Sequence, residues 1–262
     1  MNLVVLVCFV LLILNIEAKN VVDQGYDLIF KSNYDTISRR CISTEHLPET
    51  LIGKTYLIQG VGGFEFGNES FEMVLDGFGK LYRFDFESDA VCIEADMLRS
   101  DWYNQSLDLG RVAPGLIFAD TDPPRPKCGP MHPMCNVKAS NDNDYVLPLR
   151  IGDQFFLTTD NPVYLKYDPD TMQVAKWTFD KGDLRKPLMN MISMGAAHTI
   201  PMIGGTKGAH VGVAMAEPDM MTGSATMYVY RIDDEAPDRR YELNSFKLPN
   251  DYTPYIHAFG LT

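Results

Sequence analysis

Tyr145-Val146-Leu147-Pro148-Leu149-Arg150, Gln154-Phe155-Phe156-Leu157-Thr158-Thr159, Val163-Tyr164-Leu165-Lys166-Tyr167 and Val174-Ala175-Lys176-Trp177-Thr178-Phe179 are four short runs rich in β-branched and aromatic residues. Ile151-Gly152-Asp153, Asp160-Asn161-Pro162 and Asp168-Pro169-Asp170-Thr171 separate them, and each carries the residue types that tight turns demand. Four strands in about 35 residues with tight reversals predict one antiparallel sheet of the kind a β-propeller repeats around an axis. Gly195-Ala196-Ala197-His198-Thr199 follows, where small residues let the backbone approach whatever the imidazole touches. A second histidine, His257, stands in Tyr255-Ile256-His257-Ala258-Phe259-Gly260-Leu261-Thr262, the last stretch of the chain.

Working outward, Lys54–Gln59 reads as a strand, and Gly60–Gly63 as a tight glycine turn. The G-x-G-x-x-G spacing of a dinucleotide site is missing there, and no helical pattern follows. Phe71–Leu75, the turn Asp76-Gly77-Phe78-Gly79 and Lys80–Phe86 make a hairpin pattern, with Leu81, Phe84 and Phe86 expected inward. Val91–Met97, Ser224–Ile232 and Tyr241–Leu248 are further strands. Residues 19–50 show no clear period and read as a leading arm. Asp120–Cys135 holds five prolines and two cysteines and reads as a long loop over a rim of the domain. Eight of the fourteen methionines fall between Met189 and Met227, a density that suits core filling ahead of a ligand cavity. No amphipathic pattern of three helical turns is present, so the chain reads as nearly all β.

The 262 residues allow one large all-β domain, and 45% hydrophobic content is enough for a true core. A net charge of −12 argues against nucleic acid, whose phosphates would repel this surface. Leu3–Ile16 is almost wholly apolar. At about 1.5 Å per residue it covers about 21 Å, short of a bilayer core of about 30 Å. Residues 1–18 therefore read as a signal peptide, although no Lys or Arg precedes the apolar run, and the protein as secreted or lumenal. Two acceptor sequences for N-glycosylation, Asn68-Glu69-Ser70 and Asn104-Gln105-Ser106, agree with that route. Loss of the leader removes Cys8 and leaves Cys41, Cys92, Cys128 and Cys135. An even set in an oxidising compartment suggests up to two disulfides, with three connectivities open and a local Cys128–Cys135 bridge among them.

Five histidines are available: His46, His132, His198, His210 and His257. Spacing alone favours core residues over ligands, because His198 and His257 lie 59 positions apart and nothing local links them. Cys128, His132 and Cys135 offer soft ligands, but the prolines and the redox context favour a disulfide over zinc. No G-x-S-x-G elbow is present. Asp233, Asp234 and Glu235 precede Pro237 in what reads as a solvated turn.

Four stretches in order change this reading. Leu75-Asp76-Gly77-Phe78-Gly79-Lys80-Leu81-Tyr82-Arg83-Phe84-Asp85-Phe86 resembles the early "FDG-G-LHRFDF" segment of the carotenoid cleavage oxygenases. Thr158-Thr159-Asp160-Asn161 with Tyr167-Asp168-Pro169-Asp170-Thr171-Met172 resembles that family's "TET…DPETL" blade. Ala197-His198 resembles its "AHPH" motif, and Tyr255–Thr262 resembles "Y-HSFGLTENY". Together they cover about residues 45–262.

The resemblance implies a seven-bladed propeller with four histidines holding one Fe(II), of which His198 and His257 match the first two. It implies oxidative cleavage of a conjugated double bond in a carotenoid or apocarotenoid by O2, with peripheral membrane contact as a further expectation. Asp160 stands where the family has a glutamate that orients a ligand imidazole, one methylene shorter. Thr159 is expected beside the open face of the iron, and Tyr255 along the substrate tunnel. The family's "RNGPG" turn is replaced by Ile58-Gln59-Gly60-Val61-Gly62, and Thr199-Ile200-Pro201 follows His198 where relatives have Pro-His. The third and fourth ligands would lie beyond Thr262, so residues 19–262 are expected to form an incomplete propeller, about half to two-thirds of the blades. Such a chain is expected to be inactive alone. Retinyl-ester isomerohydrolysis on the same iron, and non-catalytic binding of carotenoid or lipid by a secreted protein, are the alternatives.

Overall fold

The computed structural model describes residues 29–115, 118–124, 141–177, 179, 184, 192–202, 208–216, 224–249 and 254–260. The leader at residues 1–18, Cys128, His132 and Cys135 lie outside the described residues. Tyr34–Thr262 forms one compact unit.

The order is β1 (Ile37–Ser43), β2 (Thr55–Gly63), β3 (Glu65–Phe66), β4 (Glu69–Phe71), β5 (Phe78–Phe86), β6 (Ala90–Met97), α1 (Asp101–Leu109) and β7 (Thr121–Asp122). It continues with β8 (Leu147–Ile151), β9 (Gln154–Thr158), β10 (Tyr164–Tyr167), β11 (Val174–Trp177), β12 (Ile192–Gly195), β13 (Ile200–Pro201), β14 (Ala209–Ala216), β15 (Thr226–Asp233) and β16 (Ala236–Lys247). Three antiparallel sheets result, in the orders β1-β6-β5-β2, β11-β10-β9-β8 and β12-β14-β15-β16, with β13 on β14. A small sheet β3-β4-β7 stands beside them.

The large sheets stack face to face. Leu81 of the first packs with Leu157, Leu165 and Tyr167 of the second. Leu149, Ile151, Phe156 and Tyr164 of the second pack with Ala214, Tyr228, Tyr230 and Ile232 of the third. A sheet apolar on both sides must be covered on both sides, which is the stacking logic of propeller blades. A third cluster centres on Phe78, whose ring lies 5.2 Å from Phe71, 4.8 Å from Trp102 and 4.9 Å from Tyr103.

Several expectations need correction. Gly60–Gly63 is not a turn: β2 runs through it, pairing Gly63 with Phe78. The glycines serve packing, since a Cβ on Gly62 would stand 2.5 Å from Lys80 Cβ. On β5, Leu81 is buried but Phe84 and Phe86 are only half-buried. Side chains alternate along a strand, so the face of Leu81 also carries Arg83 and Asp85. Asp85 accepts hydrogen bonds there from Thr55, Arg39 and Arg83.

The leading arm contains β1, clipped to β6 by the disulfide Cys41–Cys92. Among the described residues one α-helix of nine residues, α1, interrupts the β pattern. Ser100 caps it by accepting from Tyr103 N–H at 3.1 Å, and Gly110 closes it in the left-handed region. The buried strap Asn141–Asp144 ties these parts together. Asp142 accepts from the Asp101 and Trp102 N–H groups at 2.9 Å each, while Asn143 bonds Gly79 N–H and Gly77 C=O. No helix among the described residues is long and apolar enough to cross a membrane.

Candidate metal centre

Three segments meet at the end of β9. The first is Thr159-Asp160-Asn161 leaving that strand, the second Gly195–Thr199 between β12 and β13, and the third the stretch 254–260 after β16. Backbone bonds register the second on the first and on the third sheet: Gly195 N–H reaches Asp160 C=O at 2.9 Å, and Ala196 N–H reaches Val213 C=O at 2.9 Å. Thr158 Oγ1 donates to Ala197 C=O at 3.0 Å. His198 N–H then reaches His257 C=O at 3.4 Å, which brings the third segment in.

The two imidazoles converge. His198 Nε2 and His257 Nε2 stand 3.2 Å apart, with the rings steeply inclined at 72°. The far nitrogen of His257, Nδ1, lies 3.1 Å from both oxygens of Asp160. Asp160 is buried and anchored twice more. It accepts from Tyr255 O–H at 2.6 Å and from Ala197 N–H at 3.3 Å. The aspartate thus reaches the imidazole with both oxygens.

This arrangement sets the protons. A carboxylate is acceptor-only, so His257 carries its hydrogen on Nδ1 and presents Nε2 as a bare lone pair towards His198. Without an ion, His198 Nε2–H donates to that lone pair; an ion between the rings would take both Nε2 atoms as ligands. Two nitrogens each about 2.1 Å from one ion would stand about 3.0 Å apart at a right angle and about 3.4 Å at the tetrahedral angle. The observed 3.2 Å falls between these, so the pair fits one ion.

Tyr255 holds the carboxylate as well as facing outward. Its ring is exposed and meets Phe118 edge-on at 5.7 Å. Burial of the hydroxyl, and then its bond to Asp160, push its pKa upward, so the phenol keeps the proton it donates. Thr159 is buried beside Asp160 and makes no hydrogen bond to either histidine. The holding of Asp160 by Tyr255 and Ala197 went unread in the sequence, where Tyr255 carries only the signal of an aromatic near a histidine.

His46 and His210 stand apart from the pair. His210 packs 3.6 Å from Asp234, and burial lowers its pKa. Met194, Met215 and Met227 line a small apolar pocket with Pro254 and Ile256, flanking the histidines in the chain. A larger cleft of about 420 Å³ over β9–β11 includes none of the site residues.

A family model described as retinal pigment epithelial membrane protein, RPE65, matches residues 32–262. Among curated relatives, the chain is 23% identical over 230 residues to Beta,beta-carotene 15,15'-dioxygenase of Gallus gallus, covering 82% of this chain and 41% of that one. It is 26% identical over 242 residues to the enzyme of the same name from Rattus norvegicus, covering 85% and 40%. The chain therefore spans about two-fifths of the curated relatives it matches. A mutant of Synechocystis apocarotenoid oxygenase superposes with a TM-score of 0.68 at 16% identity, covering 91% of this chain and 48% of that one. A cobalt-substituted form superposes with a TM-score of 0.60 at 15% identity, covering 87% and 45%. The stacked sheets are thus blades of the carotenoid oxygenase propeller, and the described ones do not close a ring. The chain belongs to the RPE65 and carotenoid cleavage oxygenase family.

Proposed function

We propose that His198 and His257 hold one Fe(II) and that the protein takes part in oxidative cleavage of a carotenoid or apocarotenoid. The observation that carries this is the 3.2 Å approach of two Nε2 atoms with Asp160 on the far ring nitrogen of one. Neutral imidazole suits iron, and the carboxylate behind His257 raises its basicity. Bound iron would supply activated O2 to split a conjugated double bond into two carbonyl products. The chain's own residues do the positioning. Asp160 fixes the tautomer of His257, Ala197 and Tyr255 fix Asp160, and Thr159 flanks it. The apolar ring pair Phe118–Tyr255 offers a surface on which a polyene or a bilayer would lie.

Two imidazoles fill only part of the coordination of an iron, so iron held by this pair alone is expected to be weakly bound. Isomerohydrolysis of a retinyl ester is the second reading, since the same family includes it. The Cys41–Cys92 disulfide supports an oxidising, secretory compartment. Incubating the iron-loaded protein, in its full natural length, with β-carotene, an apocarotenal and a retinyl ester separates the readings. Paired aldehyde or ketone products support cleavage, and retinol with the ester consumed supports the second reading. An inert protein that still retains the polyene supports the non-catalytic binder.

A further inference from the structure

Two acceptor sequences for N-glycosylation occur in the chain, and the fold treats them differently. Asn68 occupies the tip of the β3–β4 hairpin, where Phe66 pairs with Glu69 and only Gly67 and Asn68 form the loop. Gly67 has φ of +63° and backs onto Gly110 C=O, where a Cβ would stand 2.7 Å away, so the tip is fixed against the end of α1. Asn68 is exposed, and its amide makes no hydrogen bond among the described residues. Ser70, the hydroxyl residue of the triplet, is exposed too.

Asn104 is placed otherwise. It sits inside α1, and its Nδ2 donates to Arg99 C=O at 3.2 Å. Its partner Ser106 is fully buried, donating to Trp102 C=O and accepting from Ala113 N–H, both at 2.9 Å. Transfer needs the triplet extended with its hydroxyl free, and once α1 has formed that would require the helix to unwind and two buried hydrogen bonds to break, although Asn104 itself is exposed.

We infer that Asn68 carries an N-linked glycan and Asn104 does not. Nδ2 of Asn68 bonds to the anomeric carbon of an oligosaccharide carried on a lipid diphosphate. The anomeric C–O bond breaks, the lipid diphosphate leaves with its electron pair, and the amide proton passes to a base on the transferring enzyme. A second observation, independent of the acceptor sequence, points to the same compartment: the Cys41–Cys92 disulfide, which joins strands 51 residues apart. The inference rests on the secretory reading above but not on the iron.

The test is expression of the whole chain, with its own leader, in a glycosylating eukaryotic cell. Peptide N-glycosidase treatment and alkylation of free thiols are read on the same sample. One glycosidase-sensitive band shift is expected in the wild type and in Asn104→Gln, with none in Asn68→Gln or in Ser70→Ala. Cys41 and Cys92 are expected to resist alkylation until reduced. Ser70→Ala keeps Asn68 itself, so matching loss in both variants excludes a folding artefact. A shift that survives Asn68→Gln, or a disulfide-bonded chain without glycan, overturns the site while leaving the compartment standing. Reduced cysteines without glycan overturn both.

Discussion

Replacing Asp160 by alanine removes one group that three others depend on. The carboxylate stands 3.1 Å from His257 Nδ1 through each oxygen, accepts from Tyr255 O–H at 2.6 Å and accepts from Ala197 N–H at 3.3 Å. A hydrogen bond to a charged group contributes about 1.5–3 kcal/mol. Applied to the imidazole alone, that is a bias of about 10-fold to 150-fold towards the tautomer with hydrogen on Nδ1, at about 1.4 kcal/mol per tenfold. Nitrogen NMR of histidine-labelled protein reads the tautomer directly, with no ion added. In the wild type His257 is expected almost wholly in the Nδ1–H form; in Asp160→Ala it reverts to a mixture dominated by Nε2–H. Metal affinity should then fall by about 10-fold to 100-fold, the usual loss when the group behind a ligand histidine is removed. A wild-type His257 with its proton on Nε2 would refute the reasoning, because the lone pair would then face the carboxylate instead of the ion.

Other consequences follow from the same contacts. Tyr255→Phe, which removes one donor to Asp160 but leaves the carboxylate, should cost about 1–2 kcal/mol of stability in denaturant titration and weaken metal binding less than Asp160→Ala does. Replacing Cys41 and Cys92 together by serine opens a loop of 51 residues and should lower stability by about 2–4 kcal/mol; an unchanged denaturation midpoint would show that β1 is held by its ladder alone. Asp144 is wholly buried, and among the described residues its oxygens accept no hydrogen bond. Burial, then the nearby Asp142 charge, raises its pKa well above the carboxylate range, although the neighbouring Asn161 amide opposes this. The folded state therefore holds a proton that the unfolded state releases above about pH 4, so from there upward this group removes about 1.4 kcal/mol of stability per pH unit until its folded pKa is passed. Asp144→Asn should abolish that slope in pH-dependent unfolding, and a slope left unchanged would place its origin elsewhere.

The strands of the second sheet were legible because their turns are written in residues with one conformational use. Gly152 adopts a φ of +59°, and Asp168 accepts from the Asp170 and Thr171 N–H groups to close the next reversal. β1 was hidden because its residues are mostly exposed and show no alternation; a disulfide and a neighbouring strand make it a strand. Gly60–Gly63 misled because glycine marks turns and close packing alike, and only the position of Lys80 decides between them. α1 is too short for a periodic signal, yet Ser100 and Gly110 flank it as caps and could have marked it. At the site, resemblance pointed to the histidines and Asp160, but the reach of a shortened carboxylate depends on where 254–260 lies. No local pattern encodes that. Besides the ring face expected along the tunnel, Tyr255 has a hydroxyl that holds the carboxylate, a contact across 95 positions of chain that no local pattern announces.

Iron content, measured per chain by elemental analysis on protein of full natural length prepared without oxygen, tests the central claim most directly. The account predicts iron bound by the wild type and lost from the His198→Ala, His257→Ala double variant, with the fold retained by circular dichroism. Equal iron in the folded double variant would contradict it.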